Sequence, residues 1–326
     1  MSLKDRILAG EHAVPTTFVH LGLTGKCPAR CLKCHVWKHP PSHPGVSAET
    51  WLNVVRQLDE LFADAQVTFS GGEPLLLPGI YDLLAGADAL PNLFVVLNTS
   101  LYFADDWMID RLAAAPARFL GVSLDGLAES NDRLKGVPGA FERTLWAIDR
   151  IKDRAPATQV GLGYVLARPT LADAEAFAVR FGADPRIREV RFQPVFQPLG
   201  EPFRATWHLG HPLWPDPGEA ARVIDRLHAL KDRGVAIQNS HERLDEIRDY
   251  FSAPESARAK PCPAGERMWV IDDRGVVYFC PYHEPVGDVT RQRVAEILAS
   301  DRARQARAKI LTCPIRYCHL STNGRE

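Results

Sequence analysis

The sequence has little that would place the protein in a membrane or outside the cell. No window approaches the roughly 18 apolar residues of a membrane span, and the N-terminal residues lack the apolar stretch of a secretion signal. Charge of one sign is not in excess, since 39 Lys and Arg residues stand against 40 Asp and Glu residues. We therefore expect a cytoplasmic protein that binds neither nucleic acid nor membrane.

Cysteine is scarce and unevenly placed. The 326 residues include seven cysteines, one group within 27–34 and another within 262–318. Cytoplasmic thiols are kept reduced, and an odd number cannot pair completely, so metal ligation is favoured over disulfides. The two groups are therefore the candidate functional sites.

The stretch from Thr17 to Phe196 alternates short β-rich runs with helical patterns, which indicates a parallel sheet with crossover helices. The helix predicted for 47–62 begins with an N-cap serine and repeats apolar residues on one face. We expect an α/β fold, a partial (β/α)6 TIM-like barrel whose ligands bind beyond the carboxyl ends of the strands. The six predicted strands are 18–23, 66–70, 93–98, 118–124, 159–166 and 189–195.

Four regions follow from this pattern. Residues 1–16 form an N-terminal extension, and 17–196 form the barrel. Residues 197–255 form a connecting or lid region, rich in proline at its start and with helical patterns at 219–231 and 241–250. Residues 256–326 form a small C-terminal domain.

The first cysteine group is Cys27, Cys31 and Cys34, spaced C-x3-C-x2-C directly after the first predicted strand. Three thiolates on a short loop can hold three corners of a [4Fe-4S] cluster and leave the fourth iron open to a ligand. A zinc site that adds His35 is the alternative interpretation.

A second motif, Gly71-Gly72-Glu73-Pro74, follows the second predicted strand. The paired glycines let the backbone approach a ligand closely, and the glutamate offers a carboxylate to an ammonium group. This position at the end of a parallel strand favours a ligand site over a structural zinc.

The cysteine loop and the GGEP motif together resemble the radical S-adenosylmethionine (SAM) superfamily. The resemblance implies that an open [4Fe-4S] cluster chelates the methionine group of SAM, while Gly71, Gly72, Glu73 and Pro74 contact its amine. Reductive cleavage of SAM would release a 5′-deoxyadenosyl radical that abstracts hydrogen from substrate. The electron would come from an external one-electron reductant such as flavodoxin or ferredoxin.

The resemblance implies further cofactor contacts from Asn98, Ser123 and Asp125, at the ends of the third and fourth strands. Each of the three can instead be a turn or capping residue. The sequence departs from the family at Lys33, where an aromatic residue usually contacts the adenine. No catalytic residue of the protein itself is singled out.

The second cysteine group consists of Cys262, Cys280, Cys313 and Cys318. Twelve residues separate the first of them from Gly275, and four more lead to the second. The runs 268–272 and 276–280 around this glycine predict a β-hairpin. The pattern resembles the SPASM and twitch extensions of radical SAM enzymes, in which a helix such as 294–300 follows.

This second resemblance implies one auxiliary [4Fe-4S] cluster of the shorter twitch type, because the eight residues after Cys318 contain no cysteine. The spacing of the last two cysteines is stretched to four residues, so His283 or His319 is a possible substitute for the fourth ligand. A structural zinc site with four cysteine ligands is the alternative.

The substrate is less constrained than the cofactors, because one fold hosts many reactions. We expect an oxidoreductase that acts on a small polar metabolite of the sugar or aminocyclitol type. The alternatives are a ribosomal peptide maturase, a radical epimerase and, from another class, a non-catalytic metal-binding regulatory protein. The peptide alternative is disfavoured because many maturases carry an N-terminal leader-binding domain, whereas a short segment precedes the first strand.

Overall fold

The computed structural model describes residues 3–8, 16–202, 204–254 and 262–313. Within these ranges the strands are β1 (Thr17–Thr24), β2 (Ala65–Gly71), β3 (Leu93–Thr99), β4 (Phe119–Ser123), β5 (Gln159–Leu166), β6 (Glu189–Pro194), β7 (Met268–Ile271), β8 (Val276–Tyr278) and β9 (Gly287–Asp288). The six predicted strands agree with β1 to β6 to within one residue at each end.

The helices alternate with these strands in the first half of the chain. They are α1 (Leu3–Leu8), α2 (Ala48–Leu61), α3 (Ile80–Asp88), α4 (Asp106–Ala114), α5 (Ala128–Lys135), α6 (Ala140–Arg154), α7 (Ala174–Gly182), α8 (Pro217–Asp232), α9 (His241–Ser252), α10 (Val294–Ala299) and α11 (Asp301–Leu311). None of the helices described is long and apolar enough to cross a membrane.

Local sequence accounts for these elements. The Ser47 hydroxyl accepts a hydrogen bond from the Thr50 amide (3.2 Å) and so caps α2. Trp51, Val55 and Leu58 lie on one face of that helix and are fully buried against the sheet. Such amphipathic helices cover the outer face of the strands and form most of the core.

All the strands belong to one sheet in the order β6-β5-β4-β3-β2-β1-β7-β8-β9. β1 to β6 are parallel to their neighbours, which confirms the predicted α/β class. β7 adds to the other side of β1 and is also parallel to it, with Phe18 opposite Met268 and Leu21 opposite Ile271. β8 and β9 are antiparallel additions, so the predicted hairpin extends the barrel sheet.

The sheet curves into an open barrel. His20 on β1 and Arg191 on β6 interact electrostatically although four strands lie between them. Burial and this arginine lower the pKa of His20 to about 4. At the end of the barrel where β3 and β4 begin, Ile7 of α1 packs against Phe94 and Phe119.

Candidate functional site

The loop after β1 carries the first cysteine group at the carboxyl end of the parallel strands. Its backbone is fixed to the end of α5: the Arg30 amide donates to the Lys135 carbonyl (3.1 Å) and the Leu32 amide to the Leu134 carbonyl (2.8 Å). Gly136, with a φ of +65°, permits this approach, since a Cβ there would lie 2.7 Å from the Arg30 carbonyl oxygen. Main-chain contacts therefore hold the loop.

The paired glycines after β2 bring that strand end against the same loop. The Gly72 amide donates to the Thr24 carbonyl (2.6 Å), and the Glu73 amide donates to the Lys26 carbonyl (2.8 Å). A Cβ on Gly71 would lie 2.6 Å from the Thr24 oxygen, and one on Gly72 would lie 2.2 Å from the Lys26 oxygen. The glycines thus allow the backbone of the cysteine loop to approach closely. The sequence had predicted that they allow a ligand to approach.

The thiols of Cys27, Cys31 and Cys34 lie close enough to interact electrostatically. Burial raises the pKa of Cys27 to about 11 and also raises that of Cys34, with neighbouring thiols adding to both shifts. Within the described ranges, no three His, Cys, Asp or Glu side chains come close enough to share one metal ion. Three thiols on one loop suit three corners of a cubane cluster.

The zinc alternative needs His35 as a ligand, and one nitrogen of its ring bonds a carboxylate. His35 Nδ1 lies 2.7 Å from Glu201 Oε1, and the His35 amide donates to the Leu199 carbonyl (2.7 Å). Both partners belong to the segment between β6 and α8. His35 therefore ties this segment to the cysteine loop, and its Nε2 takes no part in that contact.

Glu73 is buried, with 2% of its surface exposed. Its Oε2 accepts hydrogen bonds from the Ser100 amide (3.0 Å) and hydroxyl (2.8 Å), and its Oε1 accepts a longer one from the Leu75 amide (3.4 Å). Burial raises the pKa of Glu73, while the bonds from Ser100 and Thr99 act in the opposite direction. The carboxylate is thus oriented by the end of β3, close to Cys27.

Asp125, just after β4, is the centre of a buried charge cluster. Its Oδ2 lies 2.5 Å from Lys33 Nζ and 3.5 Å from Lys135 Nζ, and the Ser123 hydroxyl donates to the same oxygen (3.1 Å). Burial alone would raise the pKa of Asp125, but the two lysines hold it below its usual value. With two cations to one anion, the cluster is suited to a negatively charged ligand group.

The predicted cofactor residues differ in accessibility. Asn98 is exposed and lies beside Gly121, whose missing side chain makes room for it: a Cβ there would lie 2.2 Å from Asn98 Oδ1. Asp125 is fully buried, and Ser123 is partly buried and bonded to it. The structure therefore permits direct ligand contact at Asn98. Asp125 is buried, so it can influence a bound ligand only by positioning Lys33.

Sequence reasoning missed Tyr102, which follows β3. Its ring belongs to a small apolar cluster with Ala29, Cys27 and Cys31, and its buried Oη has no hydrogen-bond partner among the described residues. Burial raises the pKa of Tyr102 well above its usual value, and negative charge on Cys27, Cys31 or Glu73 acts in the same direction, so the phenol keeps its proton. The only sequence signal is an aromatic residue soon after a strand end.

The second group gathers cysteines from distant segments. Cys262 precedes β7, Cys280 follows β8 and Cys313 follows α11, and their thiols interact electrostatically. Burial raises the pKa of Cys280 to about 12, with the other two thiols adding to the shift. Cys318 and His319 lie outside the described residues.

The hairpin between Cys262 and Cys280 also reaches the first site. The turn residue Asp273 accepts a backbone hydrogen bond from Val46 (3.1 Å) at the end of the cysteine loop. Its carboxylate lies 3.6 Å from His43 Nε2 of that loop. The two candidate sites are therefore joined by direct contact and by the sheet.

Comparison with known families reproduces this two-site arrangement. Residues 21–178 match the radical SAM superfamily, and residues 262–319 match the SPASM iron-sulfur cluster-binding domain. This protein belongs to the radical SAM superfamily. As a radical SAM enzyme with a SPASM-type domain, it uses SAM, a radical SAM [4Fe-4S] cluster and an auxiliary [4Fe-4S] centre.

Three curated relatives illustrate how far the similarity of this radical SAM enzyme extends. The Fe-coproporphyrin III synthase of Methanosarcina barkeri is 27% identical over 47% of this chain, a match that spans only 38% of that protein's length. The sporulation killing factor maturation protein SkfB of Bacillus subtilis is 22% identical over 90% of this chain and 67% of its own. The PqqA peptide cyclase of Gluconobacter oxydans is 28% identical over 86% of this chain and 74% of its own.

Among solved structures, Streptococcus suis SuiB bound to SAM superposes on this radical SAM enzyme with a TM-score of 0.68. The superposition covers 94% of this chain and 72% of SuiB at 16% identity. At that identity the similarity shows a shared fold, which confirms the predicted barrel with a C-terminal cluster domain.

Proposed function

We propose that this radical SAM enzyme modifies a peptide substrate. The supporting observation is how much of this chain aligns with each curated relative. SkfB aligns with 90% of it and the PqqA peptide cyclase with 86%, so these alignments extend beyond the barrel. The coproporphyrin relative matches under half of the chain, so it supports only the shared barrel. The relatives therefore favour the peptide alternative over the small polar metabolite expected from the sequence.

We assign the open cluster to Cys27, Cys31 and Cys34, since three thiols leave one iron without a protein ligand. When bound, the cluster and SAM supply a 5′-deoxyadenosyl radical that takes a hydrogen atom from the substrate. The protein's part is to hold SAM in place. Glu73, oriented by Ser100, would accept a hydrogen bond from the methionine ammonium group of SAM.

The charge cluster around Asp125 has a complementary role in this proposal. Lys33, held by Asp125 and partly exposed, attracts the SAM carboxylate. Asn98, exposed on the inner side of β3, contacts the ribose. Ser123 supports the cluster through its bond to Asp125.

We assign the auxiliary cluster to Cys262, Cys280 and Cys313, with Cys318 as the fourth ligand. In this role it accepts an electron from the substrate radical or anchors the substrate. An external flavodoxin or ferredoxin supplies the electron that starts each turnover.

The test of the peptide substrate uses hydrogen transfer. Anaerobically reconstituted enzyme is incubated with reductant, SAM and uniformly deuterated candidate peptides, and deuterium in 5′-deoxyadenosine is measured by mass spectrometry. We expect deuterium transfer and a changed peptide mass. Transfer from deuterated sugars or aminocyclitols, with none from the peptide, would restore the small-metabolite interpretation.

For the reaction outcome we propose net oxidation. Three cysteines are assigned to the first cluster and four to the second, which uses all seven and leaves no free thiol to return a hydrogen atom, as a radical epimerase requires. Turnover in deuterated water should therefore place no deuterium on product carbon. One deuterium at an inverted centre, lost in Cys313→Ala or Cys318→Ala, would identify a hydrogen donor in place of a ligand.

A further inference from the structure

The phenol of Tyr102 is a hydrogen-bond donor that lacks an acceptor in the protein. Its Oη is buried and has no partner among the described residues. Leaving such a group unpaired is unfavourable, so an unexplained case in a native fold points to a bound group. The ring packs in one cluster with Cys27 and Cys31, which places the phenol beside the first cysteine group.

The backbone before Tyr102 is strained in a way that fixes this position. The Tyr102 amide donates to the Ser100 carbonyl two residues earlier (2.7 Å), and Leu101 between them has a φ of +56°. This is a γ-turn of the positive-φ type, which is rare and strained. Leu101 is the only non-glycine residue in the described ranges with a positive φ, and such strain concentrates at functional sites.

Neighbouring side chains hold the strained turn in place. Arg143 donates to the carbonyls of Tyr102 and Ala104 (3.2 Å each), and the Thr144 hydroxyl donates to the Ser100 carbonyl (3.0 Å). The Tyr102 ring also packs edge-to-face against the Phe103 ring, with 5.8 Å between the ring centroids. The phenol is therefore preorganised against the cysteine loop.

We propose that Tyr102 Oη donates a hydrogen bond to a sulfur of the open cluster, on the Cys27 and Cys31 side, and so sets the reduction potential of that cluster. The inference rests on the proposed assignment of this cluster. Hydrogen bonds to cluster sulfurs are one determinant of the potential. A donor stabilises the more negative, reduced state, so its removal makes the potential more negative.

The experiment is a redox titration of the holoenzyme followed by electron paramagnetic resonance. The two clusters are distinguished by adding SAM, because SAM changes the signal of the open cluster only. In Tyr102→Phe we expect the reduced-to-oxidised ratio of the SAM-responsive cluster to fall about tenfold at a fixed potential, which is about 59 mV for one electron. The auxiliary signal and the SAM dissociation constant should stay unchanged.

The matched control is Tyr81→Phe, which removes a phenol bonded to the Met108 carbonyl on α4 and should leave both potentials unchanged. If Tyr102→Phe fails to retain iron, site-specific 3-fluorotyrosine at position 102 keeps the shape and strengthens the donor, so the potential should rise.

Two results would overturn the inference: an unchanged potential in iron-replete Tyr102→Phe, or a loss of SAM affinity at unchanged potential, which would show that the phenol binds SAM. A wild-type protein without any SAM-responsive signal would instead reject the cluster assignment itself.

Discussion

The two cysteine groups are built in opposite ways. Cys27, Cys31 and Cys34 occupy one loop, which main-chain hydrogen bonds fix to α5 and to the glycines after β2. Cys262, Cys280 and Cys313 come from three segments that meet only in the folded domain. We expect the first site to form with the barrel, and the second to gain more of its order from a bound cluster, beside contacts such as that of Arg307 on α11 with the Gly265 carbonyl (2.9 Å).

The largest expected effect separates the chemistry of the two sites. Replacing all of Cys27, Cys31 and Cys34 by alanine should reduce bound iron from about eight to about four atoms per chain and abolish 5′-deoxyadenosine formation. Iron analysis and chromatography of the SAM products measure both. Persistence of 5′-deoxyadenosine at the wild-type rate would contradict the assignment of the open cluster.

The next prediction addresses how each site depends on its metal. Cys262→Ala with Cys280→Ala should also remove about four iron atoms, but should in addition loosen α11, whose end carries Cys313. Hydrogen exchange of α11 amides should accelerate by about tenfold or more. If the α11 amides exchange equally slowly in this variant and in the triple variant of the first site, the second site does not depend more on its metal than the first.

A backbone substitution tests whether packing, not ligands, shapes the first site. Gly72→Ala places a Cβ 2.2 Å from the Lys26 carbonyl oxygen, and overpacking of this kind costs about 1–3 kcal/mol. We expect loss of the SAM-responsive cluster with the auxiliary one retained. The control is Gly163→Ala, where the nearest heavy atom would lie 4.0 Å away; equal iron loss there would indicate a general effect of the substitution.

The smallest effect concerns the contact between the two sites. Asp273→Asn weakens the ion pair with His43, and because both side chains are partly exposed, the free energy of unfolding should fall by less than about 1 kcal/mol. Chemical denaturation measures the change, and both clusters should remain at full iron content. Iron loss at the first site would mean that the hairpin turn controls the cysteine loop.

Sequence patterns were sufficient to predict features that residues close together in the chain determine. The strands β1 to β6 and the capped helix α2 follow from apolar periodicity and a serine N-cap, which neighbouring residues set. The cysteine loop and GGEP are short motifs at strand ends, and the structure brings them together.

Features that depend on tertiary contacts were not predictable. The hairpin turn was visible at Gly275, but nothing in its residues specifies that β7 pairs with β1 rather than standing apart. Tyr102 is likewise set by the strained turn at Leu101, and strain of this kind is imposed by surrounding packing. Lys33 was visible as a departure from the family and Asp125 as a residue at a strand end, whereas the ion pair between them required the fold.

The pairing of β7 with β1 limits how this molecule can move. Domains usually meet at flexible linkers, so relative rotation is their default behaviour. Here a shared ladder of main-chain hydrogen bonds crosses the boundary, and opening it would mean breaking the sheet at its centre. If both cysteine groups hold clusters as proposed, the distance for electron tunnelling between them is set by this backbone ladder and not by a hinge.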